Sequence, residues 1–313
     1  MSTLDKDARA YVSMRRSLGF KLRRHDLQMR QLVAFMNERK ARRITTKLAL
    51  DFATRDLGSG PKPRKALLAL VRGFAKYQAG LDPLTEIPPP GLLSSSKRLA
   101  KPYLYSENEI RSLTQAALNR PSIVSLQPWT YYCIFGLLAV TGMRVSEVLN
   151  LRCEHIDWAT EILTVHETKF GKTRLVPLHS STVSVLADYA RRRRKYLAEY
   201  GYSSVSHFFV SRWGRRVNAA SLDRMFWELS RQIGLRTQYG GHGPRLHDLR
   251  HRFAVETLLH WYRSGCDVDR RMYVLSTYLG HTEPSRTYWY LSCTPELMET
   301  AGRLLDKRWE GIA

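Results

Sequence analysis

Acidic residues are scarce in this chain: 28 Asp and Glu stand against 50 Lys and Arg among 313 residues, a formal charge of +22. So one-sided a surface attracts polyanions, and nucleic acid is the expected partner. Long hydrophobic runs are missing too. The longest, around Tyr131 to Val140, is too short to span a bilayer and reads as a buried helix, which weakens an anionic membrane surface as the explanation of the charge. Cysteine is sparse, with only Cys133, Cys153, Cys266 and Cys293, no CxxC and no Cys/His cluster at metal-ligand spacing. Reduced, mostly packed thiols are expected. The segment Met1 to Ala8 is polar and mixed in charge, unlike a secretory leader, so a cytoplasmic, nucleoid-associated protein is expected.

The length suits two ordinary domains. From Tyr11 to Gly80 apolar residues recur at helical spacing, as in Leu27, Leu32, Val33, Phe35 and Met36, with little strand-like alternation. Between them lie Arg15, Arg16, Lys21, Arg23, Arg24, Arg30, Arg39, Lys40, Arg42 and Arg43, dense enough to suggest contact with a DNA backbone as well as a solvated face. Residues 1–87 therefore read as a small helical domain, with Gly58-Ser59-Gly60-Pro61 punctuating two helices. Pro88-Pro89-Pro90 and Ser94-Ser95-Ser96 mark a linker over 88–102. A second domain, 103–313, follows.

Ser106 and Glu109 fit a helix-starting capping box, and a later helix breaks at Thr141-Gly142, which places Arg144 at the start of the next. Ile156, Trp158, Ile162, Thr164, Val165, Leu175 and Val176 are strand formers separated by turn-like Ala159-Thr160 and Phe170-Gly171-Lys172. A small antiparallel sheet is expected, with Lys169 near a hairpin tip. Helices are expected again over 183–200, 218–234, 246–261 and 269–279, and an amphipathic one over 295–309. The run Arg191 to Lys195 suits a solvated face or a DNA contact equally.

Chemistry concentrates in His247-Asp248-Leu249-Arg250-His251, Leu279-Gly280-His281, Tyr290 and, far upstream, Thr141-Gly142-Met143-Arg144-Val145-Ser146-Glu147. His247 and Arg250, three apart on a helix, share a face and can reach one phosphate, with Arg144 coming from the other side. Two guanidinium forks can neutralise the charge that develops on a phosphodiester under attack. A phenol is a weak nucleophile near neutral pH, and it needs the base or the positive surroundings that this set supplies. Lys169 is the candidate acid for the leaving oxygen, and Lys172 takes its place if the hairpin register shifts. No cluster of Asp and Glu accompanies these residues, as a two-magnesium nuclease would require.

In this order and spacing the residues resemble those of the tyrosine site-specific recombinases, the phage-integrase and Xer-like family. Arg144 in TGMRVSE is similar to the family's first arginine, and Lys169 in the run Thr168 to Leu178 to its β-hairpin lysine. His247 and Arg250 match its HxxR motif, His281 its LGH histidine and Tyr290 its nucleophile, while Tyr288 is the competing phenol and His251 reads as a helix neighbour. The resemblance spans about Tyr103 to Tyr290. It implies a mainly α fold with a small antiparallel sheet, in which a helical core-binding domain and an α+β catalytic domain form a C-shaped clamp on duplex DNA. It also implies a 3′-phosphotyrosyl intermediate, no ATP, metal or other cofactor, and a tetramer on double-stranded DNA with paired binding arms. The helix over 295–309 would dock on a neighbouring protomer, the alternative being its own domain. Glu283-Pro284-Ser285 and Tyr288-Trp289-Tyr290 are similar to recombinases carried by transposons.

Singly, each residue has a plain reading: surface ion pairs for the arginines, satisfied histidines, a packed aromatic. Jointly they favour a strand-rejoining enzyme over a catalytically silent DNA-binding protein, and their order favours recombination over a type IB topoisomerase or a telomere resolvase. The target sequence and any accessory recombinase are not legible.

Overall fold

The structure, a computed structural model, describes residues 3–20, 22, 25–56, 60–93, 102–122, 126–166, 173–202, 205–237, 243–292 and 294–310. Two compact units divide the chain, Met1–Leu99 and Ala100–Ala313.

The described elements of the first unit are helices: α1 (Thr3–Ser17), α2 (His25–Glu38), α3 (Thr46–Thr54) and α4 (Pro61–Ala79). Helical spacing lines Met29, Leu32, Val33 and Met36 along one face of α2, where they meet Ala49 and Phe52 of α3 and Leu68, Val71 and Phe74 of α4 in a single core. Each of these buried side chains larger than alanine contributes about 1.5–3 kcal/mol. Thr45 caps α3 by accepting the Leu48 N–H at 3.2 Å, and Pro61 opens α4 where its missing N–H leaves no bond unmade. Arg72 donates to the Pro88 and Pro89 carbonyls at 2.6 and 2.8 Å, and Leu93 packs on the core. Residues 88–93, expected within the linker, are thus held on this unit. Residues 94–101 lie outside the described set.

In the second unit the expected capping box is present, with Glu109 N–H donating to Ser106 Oγ at 3.2 Å and Ser106 N–H to Glu109 Oε2 at 2.7 Å, at the start of α5 (Glu107–Leu118). The next helix, α6 (Leu126–Thr141), is apolar nearly all round and is the centre of the core, burying Ile134, Phe135, Leu137 and Leu138. No described helix is long and apolar enough to cross a membrane. After the short α7 (Val145–Leu149) come β1 (Ile156–Asp157), β2 (Ile162–Val165) and β3 (Arg174–Pro177), an antiparallel sheet in that order. Its register sets Leu163 opposite both Ile156 and Val176, so one face of the sheet is buried. Residues 167–172, joining β2 to β3 and carrying Lys169 and Lys172, are outside the described set.

Helices α8 (Ser180–Glu199), α9 (Ala219–Gln232), α10 (Leu246–Arg263) and α11 (Val268–Leu279) follow, then α12 (Ser285–Tyr288), a 3-10 turn at Trp289–Ser292, and α13 (Pro295–Glu310). The basic run of α8 is not uniform. Arg193 is buried and donates to the Val205 and His207 carbonyls at 2.6 and 2.8 Å, while the exposed Arg191 and Arg192 pair with Asp188. The start of α13 packs on its own unit, where Leu297 is buried and Arg263 pairs with Glu296. Of the thiols, Cys133 is buried, Cys266 half-buried and Cys153 exposed; Cys293 is outside the described set.

Candidate active site

Two helix ends meet at one arginine. Gly142 follows α6 and Gly280 follows α11, both in the left-handed conformation with φ of 60° and 66°, so each helix stops and leaves unpaired carbonyls. Arg250, one turn into α10 and 2 % exposed, donates Nη1–H to the Gly142 carbonyl at 2.8 Å and Nη2–H to the Leu279 carbonyl at 2.6 Å. Helix C-termini carry partial negative charge, so this is a favourable seat for a buried cation. Burial first, and then the charge of Arg144, still bring Arg250 down to about 10. Glycine is required at position 142. A Cβ there would lie 2.6 Å from the Phe253 ring and would strain the positive φ, so Gly142→Ala is expected to cost about 2 kcal/mol or more in urea unfolding. A loss under about 0.5 kcal/mol would mean that Phe253 and the turn both yield.

Arg144 is the N-cap of α7 and is held from two sides. Its Nη2–H donates to the Gly280 carbonyl at 2.8 Å, and its Nη1–H to Glu147 Oε1 at 2.7 Å, while Glu147 Oε2 accepts the Arg144 backbone N–H at 2.9 Å. Arg174 on β3 forks onto the same carboxylate, Nη1 to Oε1 at 3.0 Å and Nη2 to Oε2 at 2.6 Å. Burial alone would raise the Glu147 carboxyl, but the Arg174 fork and Arg144 outweigh it and hold it at about 2. Glu147 and Arg174 both lie in stretches singled out from sequence, but neither is a candidate site residue there, and their pairing has no local signature. The only signal is a Glu three residues after a helix start, and Arg144 in place of the usual Ser or Thr cap hides that pattern.

Three imidazoles surround this cationic patch. His247 is exposed at the start of α10, and desolvation of its inner side and then Arg250 lower it from its ordinary value. His281 follows Gly280, shares a 2.7 Å hydrogen bond between Nδ1 and the hydroxyl of buried Thr287, and is brought to about 3 by burial and then by Arg250. His251, one turn beyond His247, is brought to about 4 by burial and then by His247. All three are neutral near pH 7. Tyr290 is 2 % exposed in the 3-10 turn, its ring stacked near-parallel on His281 at 6.3 Å and its hydroxyl 3.2 Å from His251 Nδ1. Tyr288, by contrast, is 47 % exposed at the end of α12.

Arg144, His247, Arg250, His281 and Tyr290 are thus brought together, and Lys169 lies outside the described residues. The Thr287 hydroxyl and the His251 contact are additions that spacing alone could not show. Both guanidinium forks are engaged by protein acceptors, yet each nitrogen named above carries a second N–H. The groups present suit an anion: Arg144 and Arg174 share one carboxylate with Arg250 beside them, and the other nearby acid, Asp248, is spent on Arg245 at 2.7 Å. Among the described residues no group of three or more His, Cys, Asp or Glu could hold a metal ion.

Residues 104–296 match the model described as the Phage integrase family. The chain belongs to that family. It is 46% identical over 313 residues, 99% of each chain, to y4rB of Sinorhizobium fredii, named as an integrase/recombinase. With the tyrosine recombinase XerC of Chlamydia pneumoniae it shares 26% identity over 242 residues, 77% of this chain and 70% of that protein. In fold it is similar to the Tn1549 transposon integrase in complex with a circular intermediate DNA, with a TM-score of 0.66 at 15% identity, covering 96% of this chain and 99% of the other. For this phage integrase family member, the five residues of the patch all lie within the matched span.

Proposed function

We propose that this chain is a site-specific DNA recombinase that cuts and rejoins strands through a 3′-phosphotyrosyl link at Tyr290. One observation carries the reading: a buried phenol sits beside a cluster of two arginines and neutral histidines inside a unit of the phage integrase family. A phosphodiester entering the patch takes the spare N–H groups of Arg144 and Arg250, and its negative charge offsets the positive charge that, after burial, helps to keep the imidazoles neutral. The phenol then gives up its proton to water or a site base as its oxygen bonds to phosphorus, the positive surroundings favouring its anion. The bond from phosphorus to the 5′ oxygen breaks, and that oxygen takes a proton from an acid, for which Lys169 or Lys172 is the candidate.

Because the phosphotyrosine keeps the energy of the broken bond, a 5′ hydroxyl from another strand reverses the step and seals the exchange without ATP. Family membership supports assembly as a tetramer on double-stranded DNA, with α13 as the candidate exchanged element, and a transposon-borne role in integration or transposition. The deciding experiment is a nicked suicide duplex carrying the recognition arms. Adduct mapped by peptide mass spectrometry to Tyr290 supports the reading, and adduct at Tyr288 or none at all overturns it.

The first unit is proposed to grip the DNA backbone. Arg30, Arg39, Lys40 and Arg42 are exposed there, whereas Arg16 and Arg43 are paired with Asp26 and Asp82. Changing those four to Gln is expected to weaken binding to all sequences alike and to flatten the slope of log K against log salt by about 0.9 for each phosphate left without its cation. An unchanged slope would assign DNA contact to the second unit alone.

A further inference from the structure

The nucleophile candidate is held at its oxygen by a residue outside the family-matched set of six. The Tyr290 hydroxyl lies 3.2 Å from His251 Nδ1, within hydrogen-bond distance. His251 sits one helical turn beyond His247, and the two rings meet edge to face at 4.8 Å and 86°. Trp289 at 5.4 Å and the Tyr290 ring at 5.5 Å also flank it, so the imidazole is wedged between His247 and the phenol. Across the phenol lies His281, itself fixed by Thr287. Burial and the neighbouring His247 keep His251 unprotonated, at about 4, and only the unprotonated ring has a nitrogen lone pair to offer.

We propose that His251 is a positioning residue for strand cleavage, which accepts the hydrogen bond of the Tyr290 phenol and thereby fixes the direction of its oxygen lone pairs. The inference rests on Tyr290 being the nucleophile. With the O–H aimed at α10, the lone pairs point elsewhere, toward a phosphorus held by Arg144 and Arg250. Pre-aligned attack of this kind is worth a large factor in rate, since a misplacement of about 1 Å can cost on the order of 10²-fold. His251 stands on a long helix whose buried face is anchored in the core, which is what a positioning group needs.

The test uses the full chain and two substitutions. In His251→Asn, Oδ1 lies where Nδ1 was and can accept the bond; His251→Phe fills the ring volume and cannot. Single-turnover adduct formation is measured at saturating DNA on an ordinary suicide duplex and on one with a 5′-bridging sulfur, whose departure needs no proton. The expected result is a slowing of about 30- to 100-fold for His251→Phe on both duplexes, with DNA affinity unchanged and His251→Asn within about 10-fold of wild type. Three outcomes overturn the proposal: His251→Phe as fast as wild type, His251→Phe at least as fast as His251→Asn, or a defect that the bridging sulfur removes. The second would make His251 a packing residue, and the third would assign it to the leaving group. Wild-type adduct at Tyr288 or none would instead remove the nucleophile reading, a separate and distinguishable failure.

Discussion

Tyr290→Phe is expected to bind recognition DNA as wild type does and to form no covalent adduct, a fall of roughly 10⁴-fold or more, as when the nucleophile of a hydrolase is removed. The substitution deletes one oxygen from a ring that is 2 % exposed, so the packing against His251, Trp289 and His281 stays and only the hydroxyl's hydrogen bonding goes. Stability should fall by only about 0.5–1.5 kcal/mol, which separates loss of chemistry from loss of fold. Tyr288→Phe is the paired control. Its ring is 47 % exposed and it is absent from the described contacts of the cationic patch, so adduct formation should stay within about 3-fold of wild type. Both rates are read from denaturing gels of labelled suicide duplex. Retention of adduct by Tyr290→Phe with its loss from Tyr288→Phe would exchange the two roles. The burial of Tyr290 adds a kinetic expectation. Since the hydroxyl is sequestered before DNA arrives, small nucleophile-directed reagents should modify Tyr288 well before Tyr290 in the free protein.

What was legible in the sequence divides along physical lines. His247 and Arg250 are neighbours by helical geometry, and Gly280 must stop α11 for His281 to turn inward, so short-range spacing was enough to place both. The Ser106–Glu109 capping box and the alternation through Leu163, Val165 and Val176 are local signals of the same kind. Contacts made across the fold had no such signature. Arg174 reaches Glu147 over 27 positions, Arg250 reaches the Gly142 carbonyl over 108, and Arg193, read as one cation in a surface run, turns out to be spent on two buried carbonyls. Charge in a sequence says which groups are available, and only packing decides which of them are used up inside. The proline stretch shows the same limit. Its composition is that of a spacer, but Arg72 supplies donors that hold residues 88 and 89 to the helical unit.

Glu147 is the residue whose loss should damage the most at once, because one carboxylate with 5 % of its side chain exposed orients both Arg144 and Arg174. In Glu147→Gln the shape remains while the charge is lost, and an amide N–H₂ is turned toward guanidinium donors. Breaking a buried pair from one side typically costs about 3–5 kcal/mol. Acid titration offers an independent check of that size. The carboxyl is held at about 2 in the folded chain against an ordinary value of 4.5, so folding is favoured by the ionised form. This contribution, about 3 kcal/mol, is complete above roughly pH 4.5 and is lost as the pH falls toward 2. Urea unfolding of wild type should therefore weaken across that window by more than unfolding of Glu147→Gln does. Identical acid profiles would mean that the carboxylate contributes nothing net after its desolvation. Since Arg144 caps the Gly280 carbonyl and leans on the same carboxylate, Glu147→Gln should also slow adduct formation by about 10²-fold at neutral pH, where the fold survives. Arg174→Leu provides the companion measurement: if Arg174 serves only to hold Glu147, then adding it to Glu147→Gln should cost little beyond the single change, and part of the lost stability should return because no buried guanidinium is left without a partner.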